Sequence, residues 1–199
     1  PHKGRDAASS FMELNGSGKE AHIPDLMHNV KGRPPKDPSA FSDGSFTCST
    51  HPLFALSSAG VWFPGRQIKL HPLSVCEHTL SEEIQRFDGL ELYTYIDGLI
   101  SSSSRSELIG LIVAICAPIP IHVAIDSSAV LQPANKIADF IRSFPDPALL
   151  LQRLPQSVDQ YDIHPMGKPM LQQTNGDLWH LFYRALLSRG VDSAKFSKT

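Results

Sequence analysis

The stretch that most constrains this chain runs from Leu108 to Ile125, LIGLIVAICAPIPIHVAI, without one Asp, Glu, Lys or Arg. A run of that length is near the minimum for a membrane-spanning helix. Pro118 and Pro120 interrupt it, and two prolines so close together end a helix rather than kink it. The run therefore reads as a buried helix, a turn and a buried strand, IHVAI, with no membrane partner. Leu108, Leu111, Ile112 and Ile115 recur at helical spacing. Ile109, Val113 and Cys116 are apolar too, so this helix is expected to be covered on more than one side.

Other segments supply the layers that such a pair needs. FSDGSFT (41–47) and LSSAGVWF (56–63) read as two short strands, and ELYTYI (91–96) is the clearest strand in the chain. Residues 64–89 read as an insertion or lengthened connection. Within them IKLHPLSV (68–75) has strand character, and LSEEIQRF (80–87) reads as a short amphipathic piece capped at Thr79. ANKIADFIRSF (134–144) reads as a short helix. Five prolines make 145–173 irregular, and TNGDLWHLFYRALLSRG (174–190) is a helix capped at Thr174 or Asn175 and ended at Gly190. AKFSKT (194–199) is a last strand. The order is that of an α/β chain that begins with antiparallel strands. Residues 1–38 are polar, end in KGRPPKDP and read as a disordered leader or linker before a domain over 39–199.

Composition excludes several classes. With 199 residues, 41% of them hydrophobic, the chain suffices for one domain with a core. A formal charge of −2 carries no global basic signature, so nucleic-acid binding would need a local patch. Three cysteines without a CxxC argue against a disulfide framework or a zinc ribbon. His71, Cys76 and His78 are all ligand types, but their spacing matches no closed zinc motif. The phosphate-binding G-x-x-x-x-G-K-[ST] loop does not occur.

Three carboxylates stand out. Glu107 lies four residues before Leu111 and borders the helix face that should pack on the sheet, where a carboxylate is costly unless a cation or donors meet it. Asp126 follows IHVAI directly, at a strand end where α/β proteins place functional groups. Asp43 sits within the first strand and is followed by Gly44, which allows close backbone approach. If the three converged, their repulsion would keep one protonated near neutral pH unless a hard cation bound there. Oxygen-only ligands suit Mg²⁺ or Mn²⁺ rather than zinc. On the residues alone, Asp43 and Asp126 read better as ordinary strand-end turn residues, and Glu107 reads also as charge near a helix start. Twenty acidic residues allow many accidental triples.

From about Phe41 to Thr199 the chain resembles a type I ribonuclease H domain. That family opens its first strand with Asp-Gly-Ser, matched by Asp43-Gly44-Ser45. SSAGVWF is similar to its second strand. Ser103-Ser104-Arg105-Ser106-Glu107-Leu108 matches the polar pair, Arg, small residue, Glu and Leu that start its first helix. Asp126-Ser127 matches the end of its fourth strand, and GDLWHLFYRALLSRGVDSAKFSKT is similar to its later helix and strand. The resemblance implies a ribonuclease H-like five-stranded mixed sheet, three antiparallel strands first, flanked by helices. Against that family the domain is expected to be C-terminally incomplete, ending before the last helix with its fourth acid.

What the resemblance implies chemically is two-metal hydrolysis of the RNA strand of an RNA–DNA hybrid, with Asp43 bridging two Mg²⁺ (or Mn²⁺) ions and Glu107 and Asp126 completing one side each. Gly44, Ser45, Ser103 and Ser104 would touch the hybrid, and Arg184, Arg189, Lys195 and Lys198 its phosphates. A retroelement-type polyprotein with a reverse transcriptase is the setting it suggests. The alternative is a degenerate form of the fold that binds nucleic acid or a protein without catalysis. YIDG (95–98) repeats the Asp-Gly pair, but Asp97 is too close to Glu107 for two strands to fit between them, so it reads as a turn residue. Trp179 reads as core rather than as a base-stacking platform.

Overall fold

The computed structural model of the chain describes residues 29–47, 56–96, 102–145 and 173–199. Asp97 and most of the polar leader lie outside them. The elements are β1 (Ala40–Thr47), β2 (Leu56–Pro64), α1 (Val75–Leu80), β3 (Glu82–Arg86), β4 (Gly89–Ile96), α2 (Ser103–Ile115), β5 (Ile121–Ile125), α3 (Ser128–Arg142), α4 (Gly176–Arg189) and β6 (Ala194–Lys198). They form a mixed α/β fold around one six-stranded sheet, ordered β3-β4-β2-β1-β5-β6. Strands β3, β4, β2 and β1 pair antiparallel, and β1, β5 and β6 pair parallel. This arrangement is consistent with a ribonuclease H-like fold, with six strands where five were expected.

The sixth strand comes from the 64–89 segment, whose local reading needs correction. IKLHPLSV forms turns and then enters α1 instead of a strand, and LSEEIQRF leaves a helix at Leu80 to become β3. Ser74 starts α1 with a capping box: its Oγ accepts from the Glu77 N–H at 3.0 Å, and its own N–H donates to Glu77 Oε2 at 2.8 Å. Thr79 caps nothing; its hydroxyl donates to the Val75 carbonyl one turn back. A two-residue turn at Phe87-Asp88 then folds β3 back on β4, with Arg86 opposite Gly89. Across that pair Tyr93 donates to Glu82 at 2.6 Å and Arg86 meets Glu91 at 2.6 Å.

Helix α2 is the centre of the core, and its residues from Ser106 to Ile115 are all buried. One side lies on β1 and β2 and the other on α3 and α4, which is why no polar stripe survives in LIGLIVAI. Among the described residues no helix is long and apolar enough to cross a membrane. Close approach to the sheet depends on small residues. A Cβ at Gly44 would lie 2.3 Å from the Glu107 nitrogen, and one at Gly110 would lie 3.2 Å from the Asp43 carbonyl. Helix α3 starts at Ser128, earlier than expected, and runs through Pro133 at the loss of one helical hydrogen bond. Gly190, at φ +87°, ends α4. Trp179 is buried edge-to-face on Phe182, with ring centres 5.8 Å apart.

The described residues before β1 lie against the sheet and α4. Val30 N–H donates to the Arg189 carbonyl and Ser39 N–H to the His122 carbonyl, both at 2.8 Å. His122 is buried in β5, with Nδ1 3.0 Å from the Lys36 carbonyl and Nε2 2.8 Å from Ser197 Oγ.

Candidate metal centre

Three elements deliver three carboxylates to one place. Asp43 is the fourth residue of β1, Glu107 lies in the second turn of α2, and Asp126 directly follows β5. Strands β1 and β5 are parallel neighbours with Ser42 opposite Ile125, so the residues after that pair, Asp43 and Asp126, emerge side by side. Gly44 lets the first turns of α2 sit on β1 and brings Glu107 down to them. One oxygen from each of the three lies within 4.8 Å of the others. Among the described residues this is the one group of three ligand-type side chains placed so closely.

Burial divides their roles. The two aspartates are exposed, whereas Glu107 is 6% exposed. Its Oε2 is buried without a hydrogen-bond partner. Burial is the main reason that its pKa is pushed up to about 7; the charges of Asp126 and then Asp43 add to that, while the Gly44 N–H opposes it. The Gly44 N–H also donates to Asp43 Oδ1 at 2.9 Å. A buried, unpartnered carboxylate oxygen beside two exposed ones fits a hard divalent cation: the donors are all oxygen, and a cation would remove the desolvation cost and the repulsion together.

The start of α2 is tied down around this cluster. Ser102 Oγ accepts from the Arg105 N–H at 3.2 Å as the helix cap. Arg105 reaches across to Asp177 in the first turn of α4 with two hydrogen bonds, at 3.1 and 2.7 Å. Burial raises the Asp177 pKa, and its bonds to Arg105, the Arg105 charge and the backbone N–H groups of Leu178 and Asp177 together leave it lowered. Asn175, in left-handed geometry at φ 58°, donates to Ser104 Oγ at 3.4 Å. The sequence reading missed the Arg105–Asp177 pair; its partners lie far apart in the chain, and no local signal joins them.

The other residues singled out from sequence scatter. Ser45 and Ser103 are exposed and Ser104 is half-buried. Gly44 is covered by the α2 backbone, so its side faces packing rather than solvent. Arg189 cannot meet a phosphate: it is fully buried and donates to the carbonyls of Ile115, Ala117 and Ile119. Lys195 is exposed at the far end of β6, 3.3 Å from the Lys36 carbonyl, and Arg184 is half-buried on α4. Lys198 lies at the acid end, where its amine donates to the Asp126 main-chain carbonyl. A groove of about 520 Å³ opens beside the acids, lined by Phe41, Trp62, Glu91, Asp43, Asp126 and Thr199 among others.

No family model and no curated protein matches the chain. Among solved structures it is similar to the solution structure of the PFV RNase H domain, at 14% identity over 80% of this chain and 76% of that one. The TM-score of 0.46 makes this too loose a likeness to carry a function.

Proposed function

We propose that the chain is a metal-dependent endonuclease that hydrolyses the RNA strand of RNA–DNA hybrids. The observation that carries this reading is the meeting of Asp43, Glu107 and Asp126 within 4.8 Å, with a Glu107 oxygen buried and unpartnered. The choice of hybrid as substrate rests on the Asp43-Gly44-Ser45, Arg105-Ser106-Glu107 and Asp126-Ser127 motifs and their order. Asp43, Glu107 and Asp126 would hold Mg²⁺ or Mn²⁺, which would supply the charge for activating water and stabilising the departing 3′ oxygen.

The chain's own residues divide the work of holding and positioning. Asp43 presents an exposed oxygen from within β1 and Asp126 one directly after β5, and Glu107 supplies a third from a helix that cannot shift without breaking its packing on Gly44. Near neutral pH Glu107 is poised between its two protonation states, so it gives up a proton when a cation arrives. Ser45 and Ser103 are exposed hydroxyls near the acids that can meet ribose or phosphate oxygens. A second reading, binding without catalysis, is favoured by one observation: no fourth carboxylate joins the cluster among the described residues.

Cleavage of an RNA–DNA hybrid, set against double-stranded DNA and single-stranded RNA in Mg²⁺ and in Mn²⁺, tests the proposal. Hybrid-selective cleavage that vanishes in Asp126→Asn is expected. A wild-type chain that binds the hybrid but leaves it intact in both metals would replace the enzyme with the binding module.

A further inference from the structure

We infer that Lys198 is a phosphate contact of the acid-lined site, holding a backbone phosphate of the bound nucleic acid beside the three carboxylates. This rests on the hybrid-binding reading above and adds a residue to it. Strand β6 runs parallel to β5 with Lys198 opposite Ile125, one residue before Asp126. From there its Nζ donates to the Asp126 main-chain carbonyl and lies 3.3 Å from Ser128 Oγ. Both acceptors are neutral and the side chain is exposed. Among the described residues Lys198 forms no ion pair, although three carboxylates are close by.

Three other cations near the acids or on the C-terminal elements are committed or placed elsewhere. Arg105 is held by Asp177, Arg189 is sealed among main-chain carbonyls, and Lys195 sits at the opposite end of the same strand. A flexible stem with three donors, resting on two exchangeable hydrogen bonds, can swing to an incoming phosphate at little cost. Such a group is needed here. Three clustered carboxylates repel a polyanion, and a cation at their rim offsets part of that repulsion during approach.

Lys195 provides the internal control: it is an exposed lysine on the same strand, away from the acids. The experiment measures binding of a labelled RNA–DNA hybrid by wild type, Lys198→Ala, Lys198→Arg and Lys195→Ala over a salt series. Ca²⁺ replaces Mg²⁺ to occupy the oxygen ligands, and a gel confirms that the hybrid stays intact. Loss of one phosphate contact should flatten the log–log salt slope of Lys198→Ala by about 0.7–0.9 and weaken binding roughly three- to fivefold near 0.1 M salt. Lys198→Arg should keep the wild-type slope, and Lys195→Ala should superimpose on wild type. An unchanged slope for Lys198→Ala, or an equal loss for Lys195→Ala, overturns the inference while hybrid binding stands. A wild-type chain that binds no hybrid overturns both.

Discussion

The two ends of helix α2 handle buried charge in opposite ways. At its C-terminal end the Arg189 guanidinium is fully buried, donating to the Ile115, Ala117 and Ile119 carbonyls and through Nε to Ser193 Oγ at 3.1 Å. Burial pulls its pKa down to about 10, which still leaves it charged at neutral pH. Nearby, Arg66 and Glu77 form a buried two-bond pair at 2.5 and 3.0 Å. At the N-terminal end, Glu107 is almost as deeply placed but keeps an oxygen without a partner and faces two like charges. Where the protein satisfies a buried charge, the charge serves the fold. Where it leaves one unsatisfied among like charges, a cation would fit as the missing partner.

The largest effect should come from the satisfied end. Arg189→Met orphans the carbonyls at the end of α2 and should cost about 3–5 kcal/mol by urea unfolding, with a loss under about 1 kcal/mol erasing the contrast. At the other end, Asp43→Asn should lower Mg²⁺-dependent hybrid cleavage by at least about a hundredfold. Its melting temperature without metal should hold or rise, since a repulsive charge is removed. Gly44→Ala strikes the hinge between fold and site: its Cβ would meet the Glu107 nitrogen at 2.3 Å and the Ser106 carbonyl carbon at 2.5 Å. Overpacking there should cost about 1–3 kcal/mol in denaturant titrations and weaken metal binding as Glu107 is displaced.

A smaller effect sharpens the comparison through pH. The folded, metal-free protein holds the Glu107 proton up to about pH 7, whereas the unfolded chain releases it near 4.5. Folding therefore takes up a proton between those values, and on this account stability falls as pH rises through that window. Thermal melts should show that fall flattened in Glu107→Gln and in wild type with Mg²⁺; an unchanged slope in the variant would refute the assignment. Smallest is the exposed Arg86–Glu91 pair on the sheet edge, where Arg86→Ala should change stability by no more than about 0.5 kcal/mol.

Much of the fold was legible because its signals are local. The apolar run with its paired prolines announced α2 and β5, and β-branched and aromatic residues announced β4. The 64–89 segment was misread although it carries two strong cues, the Ser74-x-x-Glu77 capping box and the Asp88-Gly89 step after an alternating run. Competing apolar residues around Pro72 and a misplaced cap at Thr79 shifted the helix late and hid β3. Helix α3 starts at Ser128, before the expected Ala134, and packing of Val130, Ala134, Ile137, Ala138 and Ile141 offsets the hydrogen bond missing at Pro133.

The sequence by itself determined which side chains are candidates: three acids near a strand start, a helix start and a strand end, with a glycine beside one of them. It also listed four C-terminal cations with nothing to rank them, because charge on a helix or strand looks alike in one dimension. Only the tertiary structure separated them. Parallel pairing of β5 with β6 carries Lys198 to the acids and Lys195 away, and the turn of α4 that faces α2 buries Arg189. The same packing sets the charge state of Glu107, since desolvation depends on what surrounds a carboxylate rather than on its neighbours in the chain.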